Sequence, residues 1–287
     1  MLKEYLKFCV WGRALSTKTI QNYEVILQLF ADFATARGKS LISASEKDIS
    51  DYVAHCLQNG NKPSTCNVYV TTLKVFYNWA MRFHFDQVRE NPCANIPKLK
   101  ARQDLPLCIS SQKMERILSE LPENTFRQQR AKLAVLMGYH TGMRRNEMVI
   151  LLLSDLDMEQ KTIRVLGKGG KVRIVPMSGQ LVTLLEKYFA TRKILGIKSE
   201  YLYSRSDGKA VGYGDFAVIV KQTLRQFVPE NLSHCHILRH SFATACLNSG
   251  VSIENIAALM GHASIETTMR YLTISSERIK QQLAGVF

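Results

Sequence analysis

The segment from Asn91 to Pro106 constrains the fold more than any other stretch, because the helical periodicity of the chain stops there and resumes beyond it. Its prolines are Pro92, Pro97 and Pro106, and its basic residues include Lys98, Lys100 and Arg102. A proline-punctuated segment of this kind is typical of a linker between two domains. We therefore predict a first domain over residues 1–97, a linker over 98–106 and a second domain over 107–287.

The first 90 residues have a helical pattern throughout. Ser16 is the expected N-cap of a helix from Thr17 to about Arg37, which Gly38 ends. Further helices are expected over residues 45–59 and from Pro63 onward. The broad apolar face of the last helix comprises Val68, Val70, Leu73, Phe76, Tyr77 and Trp79. Aromatic residues on such a face form a core more often than a stacking platform for bases, so a small helical bundle is predicted.

The second region combines helices with one β-rich stretch. Residues 162–166 and 171–175 are β-rich runs separated by a glycine-rich turn, which is the pattern of a hairpin. Helices are expected over residues 143–153, 179–195, 214–227, 234–249, 253–260 and 265–272, with Ser233, Ser252 and Ser264 as the last three N-caps. The chain is thus expected to be mainly α, with a small β-hairpin or sheet in an α+β second domain.

The net charge of +14 favours a polyanionic partner. Residues 1–103 contain 14 Lys and Arg against 8 Asp and Glu, and the remainder contains 24 against 16, so both halves are basic. Nucleic acid held between two domains is the favoured interpretation, and a generically basic surface is the alternative. The candidate DNA contacts are Lys98, Lys100 and Arg102 in the linker and Lys171 and Arg173 after the glycine-rich turn.

The cysteine pattern and the hydropathy indicate a cytoplasmic protein. The seven cysteines are scattered, odd in number and form no Cys-x-x-Cys pair, which is typical of reduced thiols. No apolar run approaches the length that spans a membrane. We therefore expect a soluble protein with no membrane partner.

The first candidate catalytic residues are Arg144 and three residues of one later helix, His236, Arg239 and His240. Arg144 begins a helix, where its guanidinium can bind a phosphate and Glu147 can brace it, although an ordinary surface ion pair has the same pattern. His236, Arg239 and His240 share one helix face. A zinc site at the two histidines is disfavoured, since no acidic third ligand is near and Arg239 would repel a cation.

Lys168, His262 and Tyr271 complete the candidates. Lys168 lies in the glycine-rich turn, but Val165 and Val172 occupy positions that a phosphate-binding Walker motif gives to glycine and to Ser or Thr. His262 follows Gly261, and Tyr271 lies nine residues later. Each residue taken alone has an ordinary structural explanation, such as a solvated turn lysine or a packed tyrosine.

Taken in order, these residues resemble the motifs of the tyrosine recombinases, also called the phage integrase family, and most closely its compact Xer type. The matching stretches are Thr141 to Glu147, Gly167 to Gly169, His236 to Ala243, Leu259 to His262 and Thr267 to Tyr271. The N-terminal helices and the linker are similar to the family's core-binding domain and its connection to the catalytic domain. The resemblance covers nearly the whole chain and implies two domains that form a clamp around DNA.

The resemblance implies that Tyr271 attacks a backbone phosphate, forms a 3′-phosphotyrosyl link and releases a 5′-hydroxyl. It implies that Arg144 and Arg239 neutralise the pentacoordinate phosphorane and that His262 donates to a phosphate oxygen. Because the covalent link retains the bond energy, ATP is not expected. Because the cationic residues supply the charge that Mg²⁺ provides elsewhere, neither a metal ion nor another cofactor is expected.

By the same resemblance, His236 helps to accept the tyrosine proton and Lys168 protonates the leaving 5′-oxygen. Glu147 and His240 are expected to support this set. Arg145 and Asn146 stand where relatives often have smaller residues, which leaves the expected role of Arg144 unchanged.

The implied partners are double-stranded DNA with paired core half-sites and further recombinase subunits in a tetrameric synapse, with accessory DNA-bending proteins left open. No arm-binding N-terminal extension is expected. The amphipathic stretch with Ile279, Leu283 and Val286 suits docking on a neighbouring subunit, with packing on its own domain as the alternative.

Two other functions remain: a type IB-like topoisomerase that uses the same chemistry, and a DNA-binding protein that has lost catalysis. The second is disfavoured because every catalytic position is filled. Mobile-element integration, DNA inversion and chromosome-dimer resolution all remain open as biological roles.

Overall fold

A computed structural model describes residues 1–100, 107–167, 170–262 and 264–269. Its contacts divide the chain into two compact units, Met1–Gln103 and Asp104–Phe287. Residues 101–106 lie outside the described part, so the proposed linker over 98–106 stays a prediction.

The first unit is helical, as the sequence predicts. Its helices are α1 (Leu2–Trp11), α2 (Thr17–Thr35), α3 (Glu46–Gln58) and α4 (Pro63–Phe83). The Ser16 side chain accepts from the Thr19 amide and begins α2, while Ser45 and Asp48 form a capping box that begins α3. Pro63 stands at the first position of α4, where its missing N–H costs no helical hydrogen bond.

Aromatic residues form the core of this bundle. The fully buried members include Tyr5, Phe30, Phe76 and Tyr77, and the ring of Tyr5 packs edge-on against Phe76 with 5.2 Å between centroids. The core interpretation of the α4 aromatic face is therefore confirmed. Val68, which the helical pattern placed on the same face, is instead 55% exposed.

The second unit contains eight α-helices and three strands within its described residues. The helices are α5 (Ser111–Glu120), α6 (Phe126–Thr141), α7 (Arg145–Val149), α8 (Gly179–Ile194), α9 (Tyr213–Leu224), α10 (Cys235–Asn248), α11 (Ile253–Met260) and α12 (Glu266–Met269). The strands are β1 (Leu156–Asp157), β2 (Thr162–Leu166) and β3 (Val172–Pro176), and they form an antiparallel sheet in the order β1-β2-β3.

Helix α6 lies at the centre of the second unit. Ten of its 16 residues are buried, and it packs against α8, α9 and α10. The hairpin of β2 and β3 is confirmed, whereas β1 was not predicted because a two-residue strand has no periodicity to detect. The described fold is mainly α with a small sheet, as expected.

Two local predictions were wrong. The helix expected over 143–153 ends at Val149, because the following backbone pairs elsewhere: Leu202 donates to the Leu151 carbonyl and Leu153 donates to the Glu200 carbonyl. The N-cap of α10 is His234, whose Nδ1 accepts from the Ile237 amide at 3.2 Å.

Ser233, the expected cap of α10, instead directs its hydroxyl to the Val228 and Pro229 carbonyls. Ser252 caps α11 as predicted. Ser264 Oγ accepts from the Glu266 amide at 3.2 Å. The part of the helix predicted over 265–272 that follows Met269 lies outside the described residues.

We predict that Gly142→Ala destabilises the second unit by about 1–3 kcal/mol. Gly142 ends α6 in the left-handed conformation (φ 60°), and a Cβ there would overlap the Phe242 ring. Gly179→Ala is the control, because it has a negative φ at the start of α8 and nothing within 4 Å of its added methyl. Chemical denaturation of both variants measures the difference, and equal stability would contradict the account.

Candidate active site

The carbonyl end of α11 collects arginine side chains from distant parts of the second unit. Gly261 ends this helix in the left-handed conformation (φ 63°), and the last carbonyls of a helix have no N–H partner within it. Those of Leu259, Met260 and Gly261 each accept from an arginine. The negative end of the helix dipole also favours cations at this position.

Arg239 ties α10 to this end of α11. Its side chain is buried, with Nη1 donating to the Gly142 carbonyl and Nη2 donating to the Met260 carbonyl at 2.8 Å. The first carbonyl belongs to the residue that ends α6, and the second belongs to the last residue of α11. Arg239 therefore fixes α10 relative to the ends of α6 and α11.

Arg144 converges on the same carbonyl from the start of α7. Its Nη1 donates to the Met260 carbonyl at 3.2 Å, and its Nη2 donates to the Gly261 carbonyl at 2.8 Å. The Arg144 side chain keeps 34% of its surface exposed, whereas Arg239 is only 4% exposed. The two guanidinium groups thus share one acceptor, and Arg144 remains open to a ligand from solvent.

Glu147 braces Arg144, as the sequence predicts. Its Oε1 accepts from Arg144 Nη1 at 2.9 Å, and its Oε2 accepts from the Arg144 backbone amide at 2.8 Å. The side chain of Glu147 is only 5% exposed. Burial raises the pKa of this carboxyl, but the bonds from Arg173 and Arg144 outweigh burial and leave the pKa below its usual range. Glu147 is therefore a carboxylate at neutral pH.

Two of the three histidine candidates, His262 and His236, lie close to these arginines. His262 follows Gly261 directly, is partly buried, and has its Nδ1 2.6 Å from the Thr268 hydroxyl. His236 lies exposed in the first turn of α10, yet desolvation and then the positive charge of Arg239 lower its pKa, with smaller contributions from His234, Arg145 and Arg144. His236 is therefore a neutral imidazole at pH 7 and can accept a proton.

His240 lies one turn after His236, with 6.2 Å between the ring centroids. Across residues 1–100, 107–167, 170–262 and 264–269, no group of three His, Cys, Asp or Glu is placed to hold a metal ion. All seven cysteines are free, and five of them are buried.

The expected DNA contacts differ in their surroundings. Lys98 and Lys100 are exposed on either side of Leu99, whose backbone N–H and carbonyl both pair with the Asn67 side chain at 2.9 Å. The Asn67 side chain on α4 therefore fixes the backbone of Leu99, between the exposed Lys98 and Lys100. Lys171 is also exposed, whereas Arg102 lies outside the described residues.

Arg173 has partners that the sequence did not predict. We expected this residue to contact DNA, but its guanidinium points into the second unit, with 13% of the side chain exposed. Its Nη1 and Nη2 donate to the two oxygens of Glu147 at 3.0 and 2.8 Å, and its Nε donates to the Leu259 carbonyl at 2.7 Å. These inward partners occupy the guanidinium in the described structure, and a DNA contact by Arg173 stays a prediction.

The sequence could have indicated the inward direction of Arg173 only in part. Arg173 pairs with Val165 in the β2–β3 register and is in phase with buried Val175. The alternate positions, Val172 and Ile174, are also apolar yet more than half exposed. Because both faces of β3 have apolar residues, alternation does not say which face is buried.

Lys168 and Tyr271 lie outside the described residues, as does the amphipathic stretch with Ile279, Leu283 and Val286. The described flanks of Lys168 are Gly167, whose amide donates to the Lys171 carbonyl at 2.7 Å, and Gly170, which has φ 76°. None of the described helices is both long enough and apolar enough to cross a membrane.

The chain matches known families over most of its length. The model of the phage integrase family matches residues 108–278, and that of the phage integrase N-terminal SAM-like domain matches residues 2–84. Among curated relatives, the tyrosine recombinase XerD of Listeria monocytogenes is 29% identical over 98% of this chain and 96% of its own length. The tyrosine recombinase XerC of Roseiflexus castenholzii is 30% identical over 96% of this chain and 89% of its own length.

Solved structures share the fold. The XerH site-specific recombinase bound to a palindromic difH substrate has a TM-score of 0.80 at 21% identity, over 99% of this chain and 84% of that one. A lambda integrase dimer bound to a core site has a TM-score of 0.71 at 19% identity, over 94% of this chain and 93% of that one. With a family model that matches more than half of its residues, the chain belongs to the phage integrase family, the tyrosine recombinases.

Proposed function

We propose that this tyrosine recombinase cleaves and rejoins DNA strands at specific sites through a 3′-phosphotyrosyl link to Tyr271, without ATP or a metal ion. The observation that carries the proposal is the convergence of Arg144 and Arg239 on the Met260 carbonyl, next to His262. Two fixed cations beside one another suit the charge that develops on a phosphate under attack.

Arg144 has donors to offer a phosphate. Its guanidinium has five N–H groups, of which three serve Glu147, Met260 and Gly261 in the described part of the chain. The Nε–H and one Nη2–H then remain for non-bridging phosphate oxygens. Arginine at such a position binds phosphate through two parallel hydrogen bonds, which also fixes the orientation of the phosphate.

The nucleophile needs its neighbours. A tyrosine hydroxyl has an unperturbed pKa of about 10 and is a weak nucleophile at neutral pH, but nearby cations favour the phenolate. In the proposed reaction the Tyr271 oxygen bonds to phosphorus as the bond to the 5′-oxygen breaks. Neutral His236 accepts the tyrosine proton, and His262 donates to a phosphate oxygen.

The leaving group needs a proton as well. Lys168 follows Gly167 in the short connection between β2 and β3, and we propose that its ammonium protonates the departing 5′-oxygen. Rejoining reverses the step: the 5′-hydroxyl of a partner strand attacks the phosphotyrosyl phosphorus and releases Tyr271. The covalent link retains the bond energy, so the reaction is balanced without ATP.

The proposed partner is double-stranded DNA. Four basic residues suit phosphate contact. Three of them are close in sequence to Leu99, which pairs with Asn67 on α4: Lys98, Lys100 and Arg102. The fourth, Lys171, directly precedes β3. Similar structures are described as DNA complexes, among them the XerH recombinase on difH and the Tn1549 transposon integrase on transposon end DNA.

We further propose that paired core half-sites are bound by four subunits in a synapse in the cytoplasm, with accessory DNA-bending proteins as a further partner class. The names of the relatives favour recombination over the topoisomerase alternative. A topoisomerase would relax supercoiled DNA as a lone subunit, whereas strand exchange requires two sites.

We predict that Tyr271→Phe abolishes covalent attachment to DNA and leaves DNA affinity nearly unchanged, because only the nucleophilic oxygen is removed. A nicked suicide substrate traps the adduct, which denaturing gel electrophoresis measures. Tyr213→Phe is the control, since Tyr213 is an exposed tyrosine at the start of α9 and should attach at the parent rate. An adduct that persists in Tyr271→Phe would place the nucleophile elsewhere.

Lys168→Ala is predicted to slow cleavage of a normal 5′-oxygen leaving group by about 10²–10⁴-fold. Cleavage at a 5′-bridging phosphorothiolate should be nearly unaffected, because sulfur leaves without protonation. Lys161→Asn removes a lysine from the β1–β2 turn, where φ is 52°, and should slow neither substrate. If Lys168→Ala slows cleavage of both substrates equally, Lys168 is not the general acid and contacts the phosphate instead.

A further inference from the structure

We infer that Arg173 is a positioning residue for phosphate activation: by neutralising Glu147 and anchoring the end of α11, it leaves Arg144 directed at the phosphate. The inference rests on the proposed function, because it concerns the same phosphate site. Strand β3 then helps to align Arg144 and Arg239, in addition to forming the hairpin with β2.

The contacts of Arg173 join three elements. From β3, its two terminal nitrogens bind both oxygens of Glu147 on α7, and its Nε binds the Leu259 carbonyl in the last turn of α11. The Glu147 carboxylate thus receives the full fork of Arg173 but only one side-chain nitrogen of Arg144. A fork of this geometry is available to arginine and not to lysine.

The packing around this contact is tight. A Cβ built on Gly261 would lie 3.0 Å from Arg173 Nη1 and 3.2 Å from its Cζ. The guanidinium therefore fills the space against the Gly261 turn, which immediately precedes His262. Displacement of Arg173 would loosen both the turn and the carbonyls that Arg144 and Arg239 share.

The charges explain why Arg173 matters for Arg144. Glu147 is buried, and a buried carboxylate without a full partner attracts the nearest cation strongly. With Arg173 present, one negative charge faces two positive ones, and the charge of Arg144 is left for the phosphate. Without Arg173, we expect Glu147 to draw the whole Arg144 guanidinium into a two-bond pair, away from Met260 and Gly261.

Two substitutions are expected to combine in an unusual way, with the second partly restoring what the first removes. Arg173→Met should leave Glu147 unneutralised and misdirect Arg144, which we expect to slow covalent attachment about 100-fold, a typical effect of misplaced groups. Adding Glu147→Gln removes the competing charge and should make the double variant about tenfold faster than Arg173→Met alone. Simple loss of packing would make the double variant at least as slow.

The experiment measures single-turnover covalent attachment on a nicked suicide substrate, with a 5′-oxygen and with a 5′-bridging phosphorothiolate leaving group. Arg164→Met is the matched control: Arg164 lies on neighbouring β2, is 57% exposed and pairs with Asp155 at the surface. It should attach at the parent rate. Arg173→Met should be slowed equally on both substrates, since the arginines act on the phosphate rather than on the leaving group, and its affinity for one half-site should stay near the parent value.

Arg173→Lys separates charge from geometry and also guards against a folding defect. Lysine keeps the positive charge beside Glu147, but its single nitrogen cannot span both carboxylate oxygens and the Leu259 carbonyl. We expect a variant with the parent's circular dichroism and slowed attachment. If Arg173→Met fails to fold, this variant and the double variant decide the question.

Three results would overturn the inference: attachment at the parent rate by folded Arg173→Lys or Arg173→Met, a double variant no faster than Arg173→Met, or slowing that disappears on the phosphorothiolate. A parent chain without any Tyr271-dependent adduct would instead refute the proposed function.

Hydrogen exchange without DNA then tests Arg173 separately, because the Gly261 and His262 amides donate hydrogen bonds within the turn that ends α11. Their exchange should be faster in Arg173→Met, and unchanged exchange would contradict the inference.

Discussion

The carbonyl end of α11 is the contact on which the candidate site depends. A helix leaves its last carbonyls unpaired, and here arginines from α7, β3 and α10 satisfy three of them in succession. Arg144 and Arg173 lie 116 and 86 residues from their acceptors in α11. The site therefore forms only when the second unit has folded as a whole, because no local segment contains both partners.

Among the described residues, the buried carboxylate of Glu147 sets the charge of this arrangement. Glu147 touches Arg144 and Arg173, while Arg239 donates to the backbone carbonyls of Gly142 and Met260 in the same region. Carbonyls orient a guanidinium without cancelling its charge, so the positive charge remains available to a phosphate. Carboxylates beside every arginine would have given a stable cluster with little attraction for DNA. Desolvation lowers the pKa of His236, and the same surplus of positive charge lowers it further.

Local signals predicted much of the fold. Ser16, Ser45 and Ser252 mark helix starts that the structure confirms, and the glycine-rich turn correctly indicates the β2–β3 hairpin. The failures came where tertiary contacts decide. Helix α7 is short because Leu151 and Leu153 pair with the distant backbone near Leu202, and no local pattern records that pairing.

The sequence also predicted which residues belong to the site, but it did not predict the contacts that bring them together. Motif order pointed to Arg144, Arg239 and His262, whereas the shared Met260 carbonyl is a backbone atom that no side-chain pattern reveals. We expected Arg173 to contact DNA as a basic residue that follows the glycine-rich turn. Its burial depends on which face of β3 meets the second unit, and apolar residues on both faces hide that choice.

The most direct test of the account is to change the charge of the phosphate rather than the protein. A methylphosphonate at the cleavage position replaces one non-bridging oxygen with an uncharged methyl group, so less positive charge is needed to stabilise the attack. If Arg144 and Arg239 act by neutralising phosphate charge, Arg144→Ala should lose about 10²–10³-fold in covalent attachment on the ordinary phosphodiester and recover most of that loss on the methylphosphonate. An equal loss on both substrates would contradict the account and assign Arg144 to structure alone.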